Sequence, residues 1–240
     1  MLIRQFYDQD TFSFSYLIAD MQTQEALLID PVKDCLAIYL QQLKELNLTL
    51  IYALDTHLHA DHVTGMGDLR QHTQCQTLVS EQSNVACADG RFSDDTRIYC
   101  GNIILHALYT PGHTNDSYSF YIEAGQYGDV YYPPYVFTGD TLFIRGTGRT
   151  DFMGGSSEAL YHSLFARLLT LPEQTIVFPG HDYKGMNQST IGEEKKHNPR
   201  LQVKDWQALD DILSQLNLAN PKKFTEAINA NMQCGEVSDG

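Results

Sequence analysis

Histidine and aspartate carry the chemistry of this sequence, and they are concentrated in four short stretches. Thr56-His57-Leu58-His59-Ala60-Asp61-His62, Thr110-Pro111-Gly112-His113-Thr114, Thr138-Gly139-Asp140 and Pro179-Gly180-His181-Asp182 hold five of the nine histidines. Neutral imidazole and carboxylate together suit Zn, Fe, Mn or Ni, whereas soft ions prefer thiolate. The set His57, His59, Asp61, His62, His113, Asp140 and His181 is too large for one tetrahedral ion. It fills either two adjacent sites, or one site with the remaining groups orienting the ligands. A lone histidine is more often a surface or core residue, and His72, His106, His162 and His197 are read so, having no such company. Rival chemistries lack their signatures: there is no G-x-S-x-G elbow, no cysteine beside a histidine, and no G-x-x-x-x-G-K-[ST] phosphate loop. Gly146-Thr147-Gly148-Arg149 alone reads as a tight turn.

Each of the four stretches directly follows an apolar run that reads as a strand. Leu50–Leu54 precedes His57, Ile103–Tyr109 precedes His113, Val136–Thr138 leads into Asp140, and Thr175–Phe178 precedes His181. Strands of a sandwich end along common edges, so loops far apart in sequence can converge on one site. Further strands are expected at Leu2–Phe6, Phe12–Ile18, Ala26–Ile29, Thr77–Val79 and Tyr118–Ile122. Helical spacing marks Asp34–Leu46, with Asp34 as a candidate N-cap, and Ser156–Leu169; Trp206, Leu209, Ile212 and Leu216 continue it in the tail. No linker or charge block divides the chain. One domain over residues 1–240 is expected, with a C-terminal helical segment from about 199 to 240.

The composition narrows the partners. Sixteen Lys+Arg against thirty Asp+Glu give a formal charge of −14, which argues against nucleic acid or an anionic membrane as partner. No apolar stretch approaches the roughly 18 residues that span a bilayer. The five cysteines, at 35, 75, 87, 100 and 234, show no C-x-x-C spacing and an odd total. That pattern disfavours a disulfide framework and fits a reducing compartment. The N-terminus has neither a signal-peptide nor a transit-peptide pattern, so the expected location is cytoplasmic, or the mitochondrial matrix if a transit peptide has been removed.

The motif set His57-x-His59-x-Asp61-His62, Gly112-His113, Gly139-Asp140 and Gly180-His181 resembles the metal-binding pattern of the metallo-β-lactamase superfamily. The resemblance implies an α/β fold, an αββα sandwich of two mixed β-sheets flanked by helices. Within that superfamily, the stretch Phe137–Phe152 resembles the glutathione-handling branch, shared by glyoxalase II and the persulfide dioxygenases. Ile144-Arg145, Arg149–Phe152, Gly180–Gly185, Thr190–Lys195, Asn198–Arg200 and Asn231–Gly235 are similar to the dioxygenases. One departure is visible: Thr147 stands where many members have Cys.

Carried onto this sequence, the resemblance implies one Fe(II) per chain, held by His57, His113 and Asp140. His59, Asp61, His62 and His181 then support those ligands, or hold a second metal as in the hydrolase; Zn(II) or a mixed dinuclear site is the alternative. The family's substrate-side arginine falls on Arg149 and its site-lining cysteine on Cys234, and Arg145 and Tyr183 join them as substrate-binding candidates. The implied reaction is oxidation of glutathione persulfide by O2 and water to sulfite and glutathione. The alternatives are a glyoxalase II-like dinuclear thioesterase and a non-catalytic metal- or thiol-sensing module. Eight of the sixteen cations lie between residues 145 and 204, which suits a substrate bearing carboxylates. Arg149 is read as either a ligand contact or half of an ion pair with Asp151. A homodimer is the assembly the resemblance suggests; packing of the C-terminal helix on its own domain is the alternative.

Overall fold

The computed structural model describes residues 1–151, 154–216 and 224–235. By its contacts the chain divides into two compact units: Met1–Ser93 with Ile98–Ile104 and Asn220–Gly240, and Asp94–Arg97 with Leu105–Ala219.

The first unit is a mixed sheet in the order β1-β2-β3-β4-β5-β6. Its strands are β1 (Leu2–Tyr7), β2 (Phe14–Asp20), β3 (Glu25–Ile29), β4 (Thr49–Leu54), β5 (Gln76–Ser80) and β6 (Gly90–Phe92). The first three form an antiparallel meander, and β3, β4, β5 and β6 run parallel. Parallel neighbours need crossovers, and α1 (Leu36–Glu45) and α2 (Met66–Thr73) supply two of them. Tyr39 and Leu43 of α1 and Met66 and Leu69 of α2 pack with Leu17, Ala19, Ala26, Leu28, Leu50 and Ala53 of the strands. Every residue of β2 is buried, Ser15 and Asp20 included, so its sequence shows no inside–outside alternation. Asp34 does not cap α1: it lies in a single 3-10 turn, Lys33–Cys35, and the cap position falls on Cys35.

The residues of β7 (Arg97–Cys100) and β8 (Ile103–Tyr109) are divided between the two units, and the second continues with β9 (Tyr118–Ile122) and a small hairpin of β10 (Gly125–Tyr127) and β11 (Val130–Tyr132). Then come β12 (Tyr135–Phe137), the short hairpin β13 (Leu142–Phe143) and β14 (Gly146–Thr147), β15 (Ile176–Phe178) and β16 (Ser189–Thr190). Strands β16, β15, β12, β9 and β8 lie side by side in that order. Because β9 is antiparallel to both β8 and β12, and β12 is parallel to β15, strands β8, β12 and β15 all point one way. Their C-terminal ends therefore share an edge. Helix α3 (Ser157–His162) widens to π-type turns over Ser163–Arg167 and tightens over Leu168–Thr170. Its Leu160, Leu164 and Leu168 pack with Val136, Val177, Ile191, Leu201 and Leu209, the last three supplied in turn by α4 (Ile191–His197), the turn at Pro199–Leu201 and α5 (Trp206–Ser214).

Both sheets are mixed and both carry packed helices, as the resemblance implies. The tail is helical in α5 and in α6 (Phe224–Asn231), within the segment expected from about 199. Among the described residues no helix is long and apolar enough to cross a membrane.

Candidate metal centre

The loop after β4 is built around a carboxylate that ends its parallel neighbour. Asp30 follows β3 directly, has φ of +50° and donates its N–H to the Leu54 carbonyl (2.9 Å). Its side chain accepts from the Thr56 N–H (2.6 Å), the Thr56 hydroxyl (2.9 Å) and His59 Nε2 (3.1 Å). A hydroxyl has one proton, and Thr56 gives it to Asp30. His57 Nδ1, 2.9 Å from the same hydroxyl, must then be the donor. With Nδ1 the donor, Nε2 is the atom left to ligate, the orientation of a metal-ligating histidine.

His59 has the opposite orientation. Nε2–H is spent on Asp30, and Nδ1 is buried with no hydrogen-bond partner among the described residues. Burial opposes charge on this ring, but Asp30, with Asp55 and Asp61 adding to it, outweighs burial and lifts its pKa to about 10. The His57, His59 and His62 rings follow one another with centroids 4.2 Å apart. His62 Nδ1 meets Asp61 Oδ2 at 2.9 Å, and the Ser13 hydroxyl donates to the same oxygen at 2.8 Å. His59, Asp61 and His62 each offer a ligand atom within 4.8 Å of the others, as do Asp30, Asp55 and His59. His57, whose Nδ1 donates to Thr56 and whose Nε2 is left to ligate, presents the atom a metal ion needs, so the loop fits a metal.

The second unit presents its own cluster at the shared edge of β8, β12 and β15. His113 Nδ1 lies 2.9 Å from the Arg149 carbonyl, which can only accept, so Nδ1 carries the proton and Nε2 faces Asp140 Oδ2 at 3.6 Å. The other Asp140 oxygen is 2.8 Å from His181 Nδ1. All three side chains are buried. Two glycines make this approach possible. Gly112 has φ of +141° and lies against the Leu160 backbone, and a Cβ on Gly148 would sit 2.0 Å from the Asp140 carbonyl oxygen. Gly148 follows β14, so the glycine-rich stretch expected as a tight turn is one strand and exit of the β13–β14 hairpin.

The substrate-side candidates meet different fates. Arg149 holds Asp151 with two contacts of 2.6 Å, and that hydrogen bond keeps the Asp151 carboxyl below its ordinary range. The pair borders a cavity of about 620 Å³ lined by Thr150, Ser156, Ser157, Asp210 and Leu213. Arg145 is engaged with the fully buried Glu194, which also accepts the Arg145 N–H at 2.8 Å. Tyr183 is 64% exposed and stacks on His181 at 5.9 Å. Thr147 is buried, donates to the Gly148 carbonyl at 3.0 Å and receives Arg200 at 3.1 Å. The residue that replaces a cysteine thus braces its own loop.

Cys234 requires a correction. It is bonded to Cys87, so it offers no thiol, and the expectation of unpaired cysteines fails for these two; Cys35, Cys75 and Cys100 are free. The partners lie 147 residues apart, a separation that leaves no local spacing to read. Sequence reasoning also missed Asp30 and Asn231. The one available signal for Asp30 was a carboxylate directly after a strand that pairs with β4. For Asn231 there was none.

Residues 8–181 match the model of the metallo-beta-lactamase superfamily. The chain is 40% identical over 236 residues to the mitochondrial persulfide dioxygenase ETHE1 of Homo sapiens, covering 98% of this chain and 89% of that protein. The crystal structure of ETHE1 from Myxococcus xanthus superposes with a TM-score of 0.91 at 43% identity, over 98% of this chain and 100% of that one. A probable hydroxyacylglutathione hydrolase of Schizosaccharomyces pombe is 30% identical over 248 residues, 90% of this chain and 91% of that protein.

Proposed function

From the premise that this chain belongs to the persulfide dioxygenases of the metallo-β-lactamase superfamily, we propose that it oxidises glutathione persulfide with O2 and water to sulfite and glutathione. The observation that carries the reading is similarity at 40% identity along 98% of the chain to a relative of that name, against 30% for the hydrolase. One Fe(II) per chain would be held by His57, His113 and Asp140, two imidazoles and a carboxylate. When bound, iron supplies the redox chemistry that O2 activation beside a sulfur anion needs.

The protein's own groups do the positioning. The Thr56 hydroxyl and the Arg149 carbonyl fix the ligating tautomers of His57 and His113, and His181 orients the Asp140 carboxylate. His59, Asp61 and His62 support the loop. Arg149 is the substrate-binding arginine: it exchanges Asp151 for a substrate carboxylate as the tripeptide seats, with Tyr183 at the His181 side. Arg145 acts indirectly, by holding the β13–β14 hairpin to Glu194. We further propose that the protein is a homodimer, by the same resemblance, and that it works in the cytoplasm.

Metal analysis together with O2 uptake tests this. One iron per chain and one O2 consumed per glutathione persulfide are expected, with both lost in His113→Ala and Asp140→Ala. Two zinc ions per chain, with thioester cleavage undiminished without O2, would overturn it in favour of the hydrolase. Light scattering and cell fractionation check the dimer and the compartment.

A further inference from the structure

We infer that Asn231, the last residue of α6, is a positioning residue for the metal-binding loop. The inference rests on the reading that the loop from His57 to His62 helps hold a metal.

Between Leu54 and α2 the chain has no regular structure, yet much of it is buried. Its backbone N–H and C=O groups therefore need partners from elsewhere. Asn231, 2% exposed, supplies three. Its Nδ2 donates to the His59 carbonyl at 2.9 Å and the His62 carbonyl at 2.8 Å, and its Oδ1 accepts the Thr64 N–H at 2.8 Å. Both amide protons are used, so one side chain pins the loop at both ends of His59–His62. A carboxamide is the group that fits: it offers two donors and an acceptor in one plane. Aspartate would set negative oxygens against two carbonyls, and alanine would leave three buried backbone groups unmatched.

The helix end that carries Asn231 is itself fixed. The Cys234 carbonyl accepts the Gly67 N–H at 2.9 Å, the Gly235 carbonyl accepts Lys33 Nζ at 2.8 Å, and Cys234 is bonded to Cys87. Metal ligands need their supporting shell held to within ~0.5 Å. Asn231 meets that need through hydrogen bonds to the backbone of the loop.

The test uses the full-length, metal-free protein titrated with Co(II), a spectroscopic probe, under reducing-agent-free conditions. Asn231→Asp keeps the Thr64 contact and loses both donors; Asn231→Gln keeps the amide but displaces it by a methylene. Leu43→Ala, in the packed face of α1, is a stability control remote from the loop. For Asn231→Asp we expect Co(II) affinity weakened by roughly 10- to 100-fold, the cost typical of lost ligand-supporting contacts. Asn231→Gln should bind with intermediate affinity and a shifted d–d spectrum, while Leu43→Ala, though less stable to heat, should bind as the unaltered protein does. If neither Asn231 variant departs from Leu43→Ala in affinity or spectrum, the inference is overturned. If Asn231→Asp does not fold, Asn231→Gln decides by the same comparison. Failure of the unaltered protein to bind Co(II) or Fe(II) would overturn the metal reading, and this inference with it.

Discussion

Asp30 sets the proton arrangement of the loop after β4, because Thr56 and His59 both spend their donors on it. With His59 lifted to about 10, that ring is charged at neutral pH in the metal-free protein. A raised pKa stabilises the fold fully below the ordinary value of 6.5, and the contribution is lost as pH climbs through about 10. NMR titration of the His59 ring in metal-free protein should therefore show a midpoint well above that of an exposed histidine, and Asp30→Asn should bring it down. An unshifted midpoint would contradict the assignment of the Asp30 contact. Gly148 gives a second test at this scale. Gly148→Ala would drive a methyl into the Asp140 carbonyl, so the backbone must move and the variant should purify with less than half the metal of the unaltered protein. The histidines and aspartates themselves were legible in the sequence, because the chemistry is in the residue types and each cluster trails an apolar run. Their partners were not, since Asp30 reaches His59 only through the pairing of β3 with β4, and Asn231 only through where α6 ends.

At the scale of elements, the expected runs Ile103–Tyr109 and Tyr118–Ile122 coincide with β8 and β9, and the runs before the other three loops fall on β4, β12 and β15. Apolar continuity announces a buried strand whatever its neighbours. The two-residue strands β13 and β14 gave no such signal, because a hairpin that short is set by Gly146 and Gly148 and by what packs on it. Helix α4 shows how such support is arranged. Thr190 and Glu193 form a reciprocal capping box at its start, and its buried Glu194 takes the Arg145 N–H. Thr190→Ala should cost about 1 kcal/mol in urea unfolding. The disulfide between Cys87 and Cys234 closes a much longer loop, 147 residues in separation, and ties the turn after α6 to the segment between β5 and β6. Cys87→Ser, or reduction, should lower stability by about 3 kcal/mol, read as a lower urea midpoint that added reductant lowers no further in the variant. An unchanged midpoint in reductant would mean the bridge does not form in solution.

The whole molecule poses an electrostatic problem for an anionic substrate. A net charge of −14 repels a tripeptide carrying carboxylates, and the eight cations between 145 and 204 are the natural remedy. Within that stretch, however, six acids accompany them, and the structure spends much of the positive charge internally. Arg145 faces Glu194, Arg149 faces Asp151, Arg167 faces Asp94, Lys195 faces Glu173 and Lys204 faces Asp205. The global acidic field therefore outweighs the local basic one during approach. kcat/KM for glutathione persulfide should rise by roughly twofold between ~0.02 M and ~0.2 M salt as repulsion is screened. Removing one of the competing acids should weaken the trend. Asp151→Asn leaves the Arg149 guanidinium available to the substrate, so KM should fall and the rise of kcat/KM with salt should shrink, because screening now also weakens a local attraction. A salt response identical in the two proteins would mean that Arg149 does not meet the substrate, and would move the binding of its carboxylates to another cation.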